Sequence, residues 1–198
     1  MSVERNVEIV GGVPEGGIPE VAGLYWSAFG RKLRPALGSK EHGVPFLASQ
    51  LNSDRFFCAV ADGRVIGVVG YALDGRSAVG FSYRDLRAWY SSASAPWRAV
   101  LIAVLGRRSR PEELLLDGLS VAPSMRGAGV GRMLLERAIE FAHDRELSEV
   151  RLSVVDSNPR ARALYERLGF VEAETVSIAP FGALYGFRRS TDMIYSLG

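Results

Sequence analysis

The chain has 198 residues, 47% apolar and 23% charged, with a formal net charge of +2; this is ordinary globular usage, outside the range of disordered chains and long enough for a sizeable core. Scattered arginines and so small a charge give no basic tract for nucleic acid, no run approaches the roughly 18 apolar residues of a membrane span, and Met1 to Gly17 contains no apolar leader core. With one cysteine, Cys58, and two histidines there is neither an intramolecular disulfide nor a metal-ligand spacing, so the expectation is a soluble cytoplasmic protein without metal, open to an anionic small ligand.

In chain order, the alternation around Val7, Ile9 and Gly11 predicts a short first strand, and the turn-rich run to Gly17 ends it. Ile18, Val21, Ala22, Tyr25, Trp26 and Phe29 recur at helical spacing, with Pro19 in the first turn, so a helix is predicted over Ile18 to Phe29. Arg31 to Val44 is basic and broken by glycines, and its Arg31, Lys32 and Arg34 read as solvated; a second helix is expected from Pro45 to Leu51. Arg55 to Ala61 and Arg64 to Leu73 read as strands joined by Asp62-Gly63, a strong hairpin signal. A helical insertion follows over about 74–112, with candidate helices at Arg84 to Tyr90 and Trp97 to Leu105, the second so apolar that burial is expected; Ala99 to Leu105 also fits a homodimer surface. Glu113 to Val121 reads as a central strand, Gly129 to Asp144 as a helix and Glu149 to Val155 as a strand, together a β-α-β unit. Asn158 caps a helix to Leu168, with Pro159 at its first position and Gly169 at its stop. Strands at Phe170 to Ile178 and Thr191 to Leu197 close the chain around a loop from Gly182 to Arg189. With no repeat or linker, one domain over residues 1–198 is expected.

The segment from Leu114 to Leu135 runs strand, glycine turn, helix: Arg126-Gly127-Ala128-Gly129-Val130-Gly131-Arg132 opens the helix directly. Glycines allow close approach to backbone N–H groups, a helix start leaves several of them unpaired, and arginines at both ends add charge, so the turn suits a phosphate. No Gly-Lys-Ser or Gly-Lys-Thr ending is present, which disfavours a Walker-type loop. The spacing G-x-G-x-G is not the dinucleotide fingerprint. A plain strand-to-helix connector is the remaining alternative.

Arg126, Gly129 and Gly131 form an Arg-x-x-Gly-x-Gly element, and Asn158 is followed seven residues later by Tyr165 within Tyr165-Glu166-Arg167-Leu168-Gly169-Phe170. Together these resemble the two motif blocks of the GNAT superfamily of acetyl-CoA-dependent N-acetyltransferases, over roughly residues 113–171. The resemblance implies an α/β (α+β) fold: a mixed central sheet of six to seven strands flanked by helices, with the helical insertion before the central strand. It implies acetyl-CoA as cosubstrate and direct transfer to a primary amine in a ternary complex, or a CoA-binding sensor of the same fold without turnover. Residue by residue, it places the pyrophosphate on Arg126, Gly127, Ala128, Gly129, Val130, Gly131 and Arg132. Leu119, Ser120 and Val121 would offer backbone groups to the pantetheine arm and to the thioester oxygen, and Asn158 would bond the arm. Tyr165 would donate to the departing sulfur; its alternative is a packed helix tyrosine beside Ala161, Leu164 and Leu168.

Asp117 is the candidate base, with a structural ion pair or a turn-facing carboxylate as its alternative. The two-residue period puts it on the face of Leu119 and Val121 unless a bulge intervenes. The glutamate that some relatives carry on the next strand is Ser153 here. His42, His143 and Cys58 carry no predicted role. The acceptor side is expected among residues 26–45, the insertion and residues 181–189, where Phe181, Tyr185 and Phe187 could form an apolar mouth and Arg31, Lys32, Arg188 and Arg189 could meet a carboxylate.

Overall fold

The Asp62-Gly63 turn folds as its residues dictate: both take positive φ, 51° and 70°, which matches the twist of the strands they join. Those strands are β2 (Phe56–Ala61) and β3 (Arg64–Ala72) in the computed structural model, which describes residues 6–105, 109–178 and 182–198. With β1 (Glu8–Gly11), β4 (Glu113–Val121), β5 (Glu149–Val155), β6 (Val171–Ser177) and β7 (Arg189–Ser196) they form one seven-stranded sheet in the order β1-β2-β3-β4-β5-β7-β6. Only β4 and β5 run parallel; every other neighbouring pair is antiparallel. This is the expected mixed sheet.

Helices cover both faces. On one lie α5 (Val130–His143) and α6 (Pro159–Arg167), which bury Val130, Leu134, Leu135, Ala138 and Tyr165 against Leu114, Leu116, Val150, Leu152 and Val154. On the other lie α1 (Ile18–Leu37), α2 (Lys40–Ser49), α3 (Tyr83–Trp89) and α4 (Ala95–Leu105), around Trp26, Leu33, Phe46, Phe56 and Val68. Fully burying side chains of this size contributes about 1.5–3 kcal/mol each, so the two cores clamp the sheet from both sides.

Several boundaries differ from expectation. The first helix does not stop at Phe29: Gly30 packs under the Trp26 ring, and the helix passes Pro35 before Gly38, at φ 84°, ends it. The stretch expected to be a loop therefore belongs to α1 and to α2, which starts at Lys40 and not at Pro45. Burial of Leu33, Ala36 and Leu37 outweighs the hydrogen bond lost at Pro35. The expected burial of the second insertion helix is incorrect: Trp97 is 46% and Val100 63% exposed, because apolar residues of α4 lie both on the side it packs and on the side it leaves to solvent. A short helix, α7 (Gly182–Tyr185), interrupts the expected final loop.

Candidate active site

β4 and β5 pair only at Glu113–Glu149, Leu114–Val150 and Leu115–Arg151. Beyond Leu115 they part, while β3 holds β4 as far as Val121 and β7 holds β5 as far as Val155. A cavity of about 320 Å³ fills the opening and is lined from both faces of the sheet: by Leu135, Asn158, Ala161 and Tyr165 on the α5–α6 side, and by Tyr25, Phe29 and Lys32 on the α1 side. The closed end of the V is fastened by charge. Arg151 places Nε 2.6 Å and Nη2 2.9 Å from the two oxygens of fully buried Glu113, and Nη1 2.9 Å from Asp192. Burial pushes the Glu113 carboxyl up, but the Arg151 guanidinium and the Arg110 N–H outweigh it and hold it below its ordinary value.

The glycine turn lies at the start of α5. Gly127 and Gly129 take φ of 85° and 80°, and Gly129 occupies the N-cap position with no side chain to cap the helix. In consequence the N–H groups of Gly127, Gly129, Val130 and Gly131 reach no backbone carbonyl among the described residues. Arg126, Gly127, Ala128, Gly129 and Arg132 are exposed and Val130 is buried; Arg132 holds Glu136 at 2.7 Å. Gly131 keeps an ordinary φ, and a Cβ there would meet Leu164, Leu119 and Val121 only at 3.5–3.8 Å. Packing does not demand a glycine at this position, whereas a ligand seated on the N–H groups would. Four N–H groups with no backbone acceptor, clustered at a helix start and flanked by arginines, fit a pyrophosphate.

α6 brings in the second motif. Asn158 is exposed, lines the cavity and caps the helix by accepting from the Ala161 N–H at 3.3 Å through its amide oxygen. Tyr165 is 7% exposed, and its hydroxyl has no hydrogen-bond partner among the described residues. Burial pushes that hydroxyl up to about 12, so it stays protonated at neutral pH.

On β4 the register slips between Val69 and Gly70, which face Leu119 and Asp117, so Gly118 is a bulge. Its φ of 95° and the 2.6 Å approach that a Cβ would make to the Tyr25 ring reserve the position for glycine. The bulge moves Asp117 off the face of Leu119 and Val121, where simple alternation would put it, and turns it towards α1. There the Tyr25 hydroxyl donates to it at 3.4 Å, and burial together with the Asp117 charge raises Tyr25 well above its ordinary value. Leu119 lines the cavity, but the Ser120 side chain does not: its hydroxyl donates to Leu24 O on α1 at 2.8 Å. Any part for Ser120 in the site is therefore through its backbone.

Sequence reasoning missed two cavity features and left a third open. Tyr25 was read only as a core residue, and Lys32 either as solvated or as one of four cations that could meet a carboxylate; both line the opening. Ser153, set aside as a base, donates to Asp192 at 2.6 Å, across a strand pair that no local motif announces. Arg31 instead packs on Gly186, and the backbone N–H groups of Arg188 and Arg189 donate to Asp156. Phe187 lines the cavity, Tyr185 donates to Leu101 O, and Phe181 lies outside the described residues. His42, His143 and Cys58 are absent from the lining.

Comparison with known proteins bears on this arrangement. The model of the acetyltransferase (GNAT) family matches residues 19–170. The chain is similar to the thialysine N-epsilon-acetyltransferase of Bos taurus, 39% identical over 56 residues covering 28% of this chain and 33% of that one. It is also similar to the [ribosomal protein bS18]-alanine N-acetyltransferase of Salmonella typhimurium, 44% identical over 62 residues covering 31% and 42%. The matched segments thus span less than half the length of these relatives. In fold, it superposes on an N-acetyltransferase from Staphylococcus aureus Mu50 with a TM-score of 0.63 at 16% identity, covering 98% of this chain and 99% of that one. The Escherichia coli ribosomal-protein-S18-alanine N-acetyltransferase gives 0.60 at 18% identity, covering 98% and 95%. With a family match across most of its length, and a parted β4–β5 pair facing a glycine-capped helix, the chain belongs to the GNAT acetyltransferase family.

Proposed function

We propose that the chain is an acetyl-CoA-dependent N-acetyltransferase acting in the cytoplasm on the primary amine of a small molecule, peptide or protein. The observation that carries this reading is the cavity through the sheet, which meets Asn158 and Tyr165 on one face and Asp117 on the other, with the glycine turn at the start of the helix that lends Leu135 to its wall. The two relatives named above are N-acetyltransferases by name, consistent with nitrogen as the acceptor atom.

In this reading Arg126 to Arg132 hold the pyrophosphate, while Asn158 and the backbone of Leu119 to Val121 hold the arm that ends in the thioester. Acetyl-CoA supplies the acyl group. Asp117 attracts the acceptor ammonium and takes its proton, directly or through water, because only the neutral amine has a lone pair. The N–C bond forms and the C–S bond breaks, and backbone N–H groups at Leu119 to Val121 meet the oxygen as charge builds on it. Tyr165 lends a hydrogen bond to the departing sulfur. With its hydroxyl at about 12 and a free thiol near 8.5, full transfer would run uphill by roughly 5 kcal/mol; the nitrogen, once bonded to the acyl carbon, instead sheds its second proton through water to the sulfur, and the products are the N-acetyl amine and CoA thiol.

Thiol release measured over amino acids, polyamines, aminoglycosides and N-terminal peptides tests the reading. Release that requires both acetyl-CoA and one class of amine is expected. Acetyl-CoA binding with no release from any class would instead identify a CoA sensor of the same fold.

A further inference from the structure

The face of α1 that looks into the cavity carries Tyr25, Phe29 and Lys32, spaced i, i+4 and i+7 and therefore stacked along one stripe. A lysine at the end of such a stripe usually runs its ammonium out to water. Here the Lys32 Nζ lies 4.7 Å from the Phe187 ring centroid and 5.7 Å from that of Phe29, which holds the charge at the cavity wall. At the other end of the stripe the Tyr25 hydroxyl meets Asp117 at 3.4 Å, and the Tyr25 and Phe29 rings pack 4.7 Å apart between the two charges. Among the described residues lining the cavity, Asp117 is the one acid and Lys32 the one base; Phe81, Ile102 and Ile178 add apolar surface, and Ser77, Ser153 and Ser190 are uncharged.

This pairing discriminates between acceptors. A simple alkylamine or polyamine brings its positive charge to Asp117 and meets the Lys32 charge on the same wall, in surroundings where like charges are poorly screened. A dipolar amine satisfies both groups together, ammonium on Asp117 and carboxylate on Lys32, with its carbon body against the rings. We infer that the acceptor is a small amine that also carries a carboxylate, and that Lys32 is the residue that selects it. The inference rests on the N-acetyltransferase reading and narrows it.

Two matched pairs separate the possibilities: L-phenylalanine against phenethylamine, and 6-aminohexanoate against hexylamine. Each is assayed for acetyl-CoA-dependent thiol release with the full chain and with Lys32→Gln and Lys32→Arg. In at least one pair the carboxylate member is expected to exceed its partner tenfold or more in kcat/KM, mainly through KM. Lys32→Gln should erase that advantage and raise turnover of the simple amine, Lys32→Arg should restore part of it, and the KM for acetyl-CoA should hold. Simple amines equal to or better than their carboxylate partners in both pairs, or a ratio unmoved by Lys32→Gln, overturn the inference. So does acetyl-CoA binding, followed separately by calorimetry, with no turnover of any of the four. Absent acetyl-CoA binding would strike the underlying reading instead.

Discussion

Gly131→Ala separates a ligand-binding turn from a plain connector, because the structure predicts opposite signs for stability and affinity. Gly131 is the second residue of α5, its φ is ordinary, and the added methyl would sit in van der Waals contact at 3.5–3.8 Å from Leu164, Leu119 and Val121. Alanine exceeds glycine by about 1 kcal/mol inside a helix, and roughly half of that is expected so near the N-terminus, a gain of about 1–2 °C in melting temperature for a chain of this size. A methyl over the Gly131 N–H should also hold a phosphate off its donors, weakening acetyl-CoA at least tenfold, about 1.4 kcal/mol. Thermal melts of the free protein and calorimetric titration of acetyl-CoA read the two effects separately. A more stable variant with unchanged affinity would show that the turn merely connects β4 to α5. The same change at Gly129 would not discriminate, since at φ 80° a side chain is itself strained by about 1–2 kcal/mol.

Tyr165→Phe should lower kcat about ten- to a hundredfold with little change in acetyl-CoA affinity, the worth of one hydrogen bond to a charged atom, about 1.5–3 kcal/mol; unchanged turnover removes the hydroxyl from the mechanism. Asp117→Asn should abolish the acidic limb of the pH–rate profile, and an intact limb would assign the proton to another acceptor. Arg151→Met strands Glu113 and Asp192 at the closed end of the V and should cost about 3–5 kcal/mol in urea unfolding; a loss under 1 kcal/mol would mean the strands are held by other contacts. At high pH the sign is fixed by Cys58 and Tyr165, both raised to about 12 by burial from 9.0 and 10.0. Between about pH 9 and 12 the unfolded chain binds fewer protons than the native one, so stability should fall over that window and be complete below it. Urea midpoints that stay level to pH 11 would contradict this.

What could be read from the residues alone is what local chemistry determines. Asn158, Pro159 and Gly169 bracket α6 by capping, Asp62-Gly63 makes the hairpin, and the alternation of Val150, Leu152 and Val154 marks β5 over the residues it occupies. The glycine turn was legible because its three glycines and the helix after it lie within one short stretch. What escaped depends on distant partners. At the Gly118 bulge the Tyr25 ring of α1 packs where a side chain would sit, a contact distant in sequence, and the bulge sets the direction of Asp117. Lys32 could not be told from Arg31, either as a solvated cation or as a partner for a carboxylate, since nothing local shows that Phe187 returns to cover it. The continuation of α1 past Phe29 rests on burial of Leu33, Ala36 and Leu37 against partners that the local sequence does not show.

Titration of acetyl-CoA into the full chain, followed by heat and by melting temperature, is the most direct measurement of whether the turn from Arg126 to Arg132 and the cavity between β4 and β5 form one cosubstrate site. At a hundred times Kd the ligand should add about 2.7 kcal/mol of stability, a rise of roughly 5–11 °C for a chain of this length. No heat and no shift at millimolar acetyl-CoA would contradict the assignment.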